Sequence, residues 1–120
     1  MGEGVSARFD PSEYGSEEYL EASRTRHQGA QNALQFLGIE DFWFIENRCC
    51  RFDSVDLLDL VKAIEQKISI FRPTHIFCHN PIEVNIDHRI TYRAVEAAVR
   101  PSADQTLEAV YSFEIPCSGN

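Results

Sequence analysis

Short apolar segments that alternate with amphipathic ones are the feature that most constrains the fold of this chain. The runs DFWFIE and THIFCH are typical of buried strands, near 42–46 and 74–79, and EAVYSFEI predicts a third strand over 108–115. Helices that alternate with such strands favour βαβ units. We therefore predict one α/β domain over 1–120, with three layers and a mostly parallel sheet.

The first helix is predicted over about 16–37. Ser16 has the residue type of an N-cap, and Glu17 and Glu18 then occupy the first turn, where the helix dipole favours negative charge. Gly38 is a plausible stop.

Two further helices are predicted from apolar residues at helical spacing. Ser54 can cap the second helix, which ends before Pro73, and the third extends from about 88 to 99 and stops before Pro101. The apolar positions of the second are Leu57, Leu58, Val61, Ile64, Ile68 and Phe71.

Charge and hydropathy exclude several classes of partner. Asp and Glu outnumber Lys and Arg 19 to 11, and the net charge of −8 disfavours binding to nucleic acid. No apolar run approaches the roughly 20 residues of a membrane span, and the N-terminus lacks an apolar signal-peptide core. Because the four cysteines also lack a C-x-x-C spacing, we expect ordinary thiols in a cytoplasmic protein.

The segment from His79 to His88 is the candidate site, because ligands of open α/β sheets bind where strands end and helices begin. His88 in the first turn of a helix would stay neutral and could bind a metal, with Asp87 as a cap or an orienting carboxylate. The alternative is that Asn85 and Asp87 only end the loop and His88 is a solvated surface residue. Glu83, in the same segment, is a further candidate.

The other histidines are weaker candidates. His79, at the end of its strand, suits a functional or a structural role equally. His75 is expected to be buried with its hydrogen bonds satisfied, and His27, on a polar helix, to be solvated.

Several separated motifs carry a resemblance to a known family. They are MGEGVSAR, RHQGAQNALQFLGI, FIENRCCRFDSVDLLDLVKAIE and RPTHIFCHNPIEVNIDHRITYRAVEAAVRP. In this order they resemble the LmbE-like or PIG-L family of zinc-dependent N-deacetylases. The resemblance implies a Rossmann-like fold and removal of acetyl groups from N-acetylglucosamine-type sugars and their conjugates.

The resemblance also implies roles for individual residues. It makes His88 a zinc ligand, with Asp87 as its carboxylate neighbour and Asn85 where many members carry a catalytic histidine. An Asn amide can donate a hydrogen bond to an oxyanion but carries no positive charge. Substrate-binding positions are matched by Glu3, Arg26 and Glu46, and we add His79 and Glu83 from their place after the strand.

One family motif has no counterpart in these residues. The His-Pro-Asp-Asp segment, which supplies two zinc ligands and the carboxylate that activates water, would lie upstream of Met1. The resemblance therefore implies an internal piece of a longer protein, with a sheet incomplete at both ends, and an inactive chain when it is expressed alone.

Three functions follow as alternatives. The intact protein would be a zinc hydrolase that acts on a small amino-sugar substrate. The second alternative is a sugar-binding module without metal, and the third, an α/β nucleotide-binding domain, is disfavoured because no G-x-G-x-x-G follows a strand. Oligomerisation through exposed apolar surface is possible.

Overall fold

The computed structural model describes residues 2–101 and 106–116 of the 120-residue chain. The chain divides into two compact units, Met1–Arg51 and Phe52–Asn120. Among the described residues, no helix combines the length and the apolar content needed to cross a bilayer. The single domain expected over 1–120 stays a prediction.

One long helix, α1 (Glu17–Phe36), supplies most of the regular structure of the first unit. Ser16 caps it, because its side-chain oxygen accepts a hydrogen bond from the Tyr19 N–H at 3.2 Å. After the helix, Gly38 adopts φ +70, which a residue without a Cβ tolerates. The predicted helix and both of its boundary residues are confirmed. Two 3₁₀ turns precede it: Ser6–Arg8 and Pro11–Glu13.

The strand predicted near 42–46 is wrong. The nearest pairing is an isolated parallel bridge between Gly2 and Asn47. A strand requires a ladder of hydrogen bonds to a neighbour, and residues 42–46 have no such ladder within the described residues. The apolar run instead makes aromatic contacts, and the ring centroids of Phe44 and His27 lie 4.9 Å apart.

The second unit contains a βαβ arrangement. Its elements, in chain order, are α2 (Leu57–Phe71), β1 (His75–His79), α3 (Ile86–Ala98) and β2 (Ala109–Phe113). The strands β1 and β2 pair in parallel along their whole length, from His75 opposite Ala109 to His79 opposite Phe113. The α/β class is therefore confirmed, as are the strands predicted near 74–79 and 108–115. Within the described residues the sheet contains these two strands.

Two helix starts differ from the predicted ones. Asp56 is the N-cap residue of α2, whereas Ser54 ends a 3₁₀ turn, Phe52–Ser54. The helix α3 begins at Ile86, two residues before the predicted start, because Asn85 rather than Asp87 caps it. Both differences arise where several residues able to cap a helix occur within a few positions.

The core of the second unit lies where α3 packs against α2 and β1. It contains Phe52, Leu60, Val61, Cys78, Ala94, Val95 and Ala98. The prediction that Cys78 is a buried strand cysteine is confirmed, and burial raises the pKa of its thiol. His75 was expected to be buried, but it is exposed, with its Nδ1 2.9 Å from the Thr74 hydroxyl. Cys117 lies outside the described residues.

We predict that Leu60→Ala destabilises the chain by about 2–5 kcal/mol, because the substitution leaves a cavity between helices. Leu60 is 2% exposed. The matched control is Leu58→Ala on the same helix, where the side chain is 59% exposed and the expected change is within about 0.5 kcal/mol. Urea denaturation measures both, and equal losses in the two variants would contradict this placement of the core.

Candidate functional site

The loop between β1 and α3 folds through hydrogen bonds of its own polar residues. The Asn80 side-chain oxygen accepts from the Ile82 N–H at 3.0 Å, and the Asn80 carbonyl accepts from the Glu83 N–H at 3.4 Å. These bonds reverse the chain after the strand. The loop thereby places Glu83 close to the first turn of α3.

Asn85 determines where α3 begins. Its side-chain oxygen accepts from the Asp87 N–H at 2.9 Å and from the His88 N–H at 3.4 Å, so it satisfies two backbone donors at the helix N-terminus. The amide nitrogen of Asn85 is then the group that remains for donation to a ligand.

Asp87 links α3 to the start of the second unit. It is 7% exposed, and its Oδ1 accepts a hydrogen bond from the Phe52 N–H at 3.1 Å. A buried carboxylate is tolerated where such donors replace water. Asp87 therefore holds the first turn of α3 against the 3₁₀ turn Phe52–Ser54.

The buried carboxylate of Glu83 contacts the half-buried ring of His88. The Nδ1 atom of His88 lies 2.9 Å from Oε2 of Glu83, which is 2% exposed. The other oxygen, Oε1, accepts from the Ile115 N–H at 3.1 Å. The Glu83 carboxylate thus connects the first turn of α3 with the segment that follows β2.

His79 lies against the face of His88. The two rings are stacked, with centroids 4.1 Å apart and planes 14° from parallel. Burial lowers the pKa of His79 and the His88 ring lowers it further, while the Glu83 carboxylate opposes both effects. The Nδ1 atom of His79 is buried and has no hydrogen-bond partner among the described residues. His79 is therefore disposed to remain neutral.

The contacts of His88 fit one zinc ligand. Histidines that bind metals usually donate one ring N–H to a carboxylate and bind through the other nitrogen, and the Glu83 contact at Nδ1 has this form. His79 does not fit as a second ligand in this arrangement. A metal lies in the plane of its imidazole at about 2.0–2.1 Å, and one ion cannot meet that condition for two rings stacked face to face.

A complete zinc site requires more protein ligands than the described residues of the second unit supply. Within the described part of the second unit, no three His, Cys, Asp or Glu side chains bring ligand atoms close to a common point. A catalytic site takes three protein ligands. The residues therefore fit a contribution of one ligand, His88, rather than a whole site.

In the first unit, Glu3 is a buried acceptor of backbone hydrogen bonds. It is 6% exposed and accepts from the N–H groups of Val5, Ser6 and Cys49 at 2.6–3.2 Å. Burial alone would raise its pKa, but the hydrogen bonds from Ser6, Val5 and Cys49 outweigh that effect and lower the pKa below its usual range. The Glu3 carboxylate therefore joins the backbone of Val5 and Ser6 to the backbone of Cys49.

Gly4 and Arg26 are in close contact. Gly4 has φ +80, and a Cβ at this position would lie 2.9 Å from Nε of Arg26. The Arg26 side chain thus covers the Gly4 backbone and is itself exposed. The positive φ is the main reason that glycine follows Glu3 in the GEG sequence, and the Arg26 contact adds to it.

A cleft of about 340 Å³ lies in the first unit. Its lining mixes acids, bases and aromatic groups: Glu3, Tyr19, Leu20, Ser23, Arg24, His27, Glu46 and Arg48. Glu3 and Glu46 therefore share a cleft, and Arg26 is not among its lining residues. Burial and the Glu3 carboxylate raise the pKa of the Tyr19 hydroxyl.

Sequence reasoning missed Tyr19 and His27 as cleft residues. His27 was expected to be solvated, but it is half-buried and contacts Phe44. The missed signal is the spacing of four that joins Tyr19, Ser23 and His27, which places them on one face of a helix. The assigned roles of the predicted site residues stay predictions.

Comparison with protein-family models matches residues 2–99 to PIG-L, described as GlcNAc-PI de-N-acetylase. The matched region includes the cleft residues of the first unit and the loop and first turn of α3 in the second. No curated protein and no solved structure gives a significant match.

We predict opposite effects for Gly4→Ala and Gly29→Ala. The first introduces a side chain at a positive φ and against Arg26, so it should destabilise the chain by roughly 1–3 kcal/mol. The second lies within α1 with open space around it, and it should stabilise the chain by up to about 1 kcal/mol. Thermal and urea unfolding measure both, and a stabilising Gly4→Ala would contradict the positive φ at Gly4.

We predict that Glu3→Gln flattens the dependence of stability on pH in the acid range. A carboxylate with a lowered folded-state pKa stabilises the chain above its unfolded pKa of about 4.3, and this contribution is lost as pH falls through the folded pKa. The wild type should therefore lose more stability than Glu3→Gln between about pH 5 and 3. Exposed Glu40→Gln is the control and should follow the wild type. Parallel curves for Glu3→Gln and the wild type would contradict the assignment.

Proposed function

The chain belongs to the PIG-L family, and we propose that the intact protein is a zinc-dependent hydrolase that cleaves the acetamide of an N-acetylglucosamine-type sugar or conjugate. The observation that carries the proposal is the match to the de-N-acetylase family over residues 2–99. The family predicted from the sequence motifs is confirmed. Zinc dependence, the sugar and the individual roles below are parts of the proposal.

His88 is the proposed zinc ligand of this chain. The Glu83 contact at Nδ1 supports binding through Nε2. When bound, zinc would polarise the acetamide carbonyl and lower the pKa of a water molecule. The remaining ligands are not supplied by the described residues of the second unit.

Asn85 and Asp87 are proposed to support the reaction around His88. The side-chain oxygen of Asn85 is occupied in the helix cap. Its amide nitrogen is therefore the group that would donate a hydrogen bond to an oxyanion. The contact of Asp87 with the Phe52 N–H supports a role in fixing the turn that carries His88. His79 and Glu83 flank the same turn, and we propose substrate contact for His79.

In the first unit, Glu46 is the strongest proposed substrate contact. It is exposed in a cleft with two arginines, and carboxylates and guanidinium groups both bind sugar hydroxyls or charged substituents. Glu3 lines the same cleft, and Arg26 lies over the adjacent Gly4. Both are proposed to shape the binding surface.

The wider architecture and location are also proposed. A Rossmann-like three-layer sandwich would extend the parallel pair β1 and β2. A cytoplasmic location is also part of the proposal, and it rests on the sequence, in which the cysteines have no C-x-x-C spacing.

We predict that His88→Ala removes acetate release from an N-acetylglucosamine conjugate, with kcat/KM reduced by roughly 100-fold or more. The matched control is His75→Ala, an exposed histidine in the same unit, which should keep full activity. Acetate is measured with and without added zinc, for the 120-residue chain and for the product of its complete reading frame. We expect activity from the latter and little zinc retention by the former, because zinc affinity requires several preorganised ligands.

The outcomes separate the alternatives. Stoichiometric zinc and turnover in the 120-residue chain would show that its own residues complete the site, against the single-ligand assignment. Sugar binding without turnover in either protein would instead favour the non-catalytic module.

A further inference from the structure

The role of Glu83 is open, because its carboxylate is buried too deeply for ready substrate contact. Its side chain is 1% exposed, and both of its oxygens contact protein atoms: Oε2 with Nδ1 of His88 and Oε1 with the Ile115 N–H. A sugar hydroxyl would have to displace one of these contacts. The geometry is that of an internal support rather than of a binding surface.

We propose that Glu83 is a positioning residue that fixes the ring orientation and tautomer of His88, so that Nε2 is the nitrogen presented to a metal. The inference deepens the proposed function and rests on it for the role of His88. It replaces the substrate-binding role predicted for Glu83 from the sequence.

The hydrogen-bond chemistry supports this role. Ile115 N–H can only donate, so Oε1 of Glu83 must accept. An ionised carboxylate also accepts at Oε2, which requires the proton of a neutral His88 to lie on Nδ1 and leaves the lone pair on Nε2. A protonated Glu83 would donate to Nδ1 instead and place the His88 proton on Nε2. The two arrangements are therefore distinguishable.

The ring of His88 is held from a second direction. His79 stacks on its face, while Glu83 contacts its edge. An edge contact limits rotation about the Cβ–Cγ bond, and a stacked neighbour limits tilt. Because Oε1 is bound to Ile115, the carboxylate is itself fixed, and an orienting group must be fixed to be effective.

The test is the tautomer of His88 in the ¹⁵N-labelled 120-residue chain, measured by long-range ¹H–¹⁵N correlation spectra. We expect a single tautomer with the proton on Nδ1 in the wild type. Glu83→Gln should lose this preference, because its amide has one acceptor oxygen for two donors, Ile115 N–H and His88 Nδ1–H. The matched control is Glu65→Gln, which removes a carboxylate that pairs with Arg100 at 2.9 Å and should leave the His88 spectrum unchanged.

A wild-type proton on Nε2, or an unchanged tautomer in folded Glu83→Gln, would overturn the proposal. If Glu83→Gln does not fold, the wild-type spectrum still decides it. The measurement uses neither substrate nor turnover. Acetate release with the wrong tautomer would therefore reject only the role of Glu83, whereas the expected tautomer without acetate release would reject only the hydrolase.

Discussion

The buried carboxylate of Glu83 is the contact on which the arrangement of the second unit's site depends. It connects the loop after β1, the first turn of α3 and the segment after β2 through two oxygens. A carboxylate that is 2% exposed costs free energy unless donors replace the lost water. Since each donor comes from a different segment, the loop can bury Glu83 only when all three segments are in place. The position of His88 therefore depends on the folding of the whole βαβ arrangement.

The polar residues before His88 serve the fold and the proposed chemistry together. Asn85 caps α3 and Asp87 anchors it to Phe52, so neither side chain is held solely for a ligand. This dual use has a physical basis. A ligand histidine in the first helical turn can be no better oriented than the turn itself, and the cap and the anchor determine that orientation.

The sequence was sufficient for elements whose signals are local. The Ser16 cap predicted α1, periodic apolar residues predicted α2, and short apolar runs predicted both paired strands. It was insufficient where the outcome depends on a distant partner. Residues 42–46 have strand composition but form no ladder with any part of the chain that the structure describes, and Glu83 contacts Ile115 across 32 positions. The Glu83–His88 contact also spans a loop and a helix start, so no helical spacing predicts it. In α1, by contrast, the spacing of four residues that joins Tyr19, Ser23 and His27 is a local signal, and it indicates that they share one face of the helix.

All the buried acidic side chains among the described residues accept long-range hydrogen bonds from the backbone. Glu3, Glu83 and Asp87 each accept a backbone N–H from a residue more than 30 positions away, namely Cys49, Ile115 and Phe52. None of these donors lies in an α-helix or a paired strand, and Phe52 is the first residue of the 3₁₀ turn Phe52–Ser54, where the N–H has no partner within the turn. Backbone donors that have no partner within a helix or a strand ladder need other acceptors when they lose water, and a carboxylate offers two oxygens on a flexible stem. In a chain with little sheet among its described residues, buried acids thus supply long-range connections that strand pairing provides elsewhere, and the residues that hold the proposed site are among those that hold the fold.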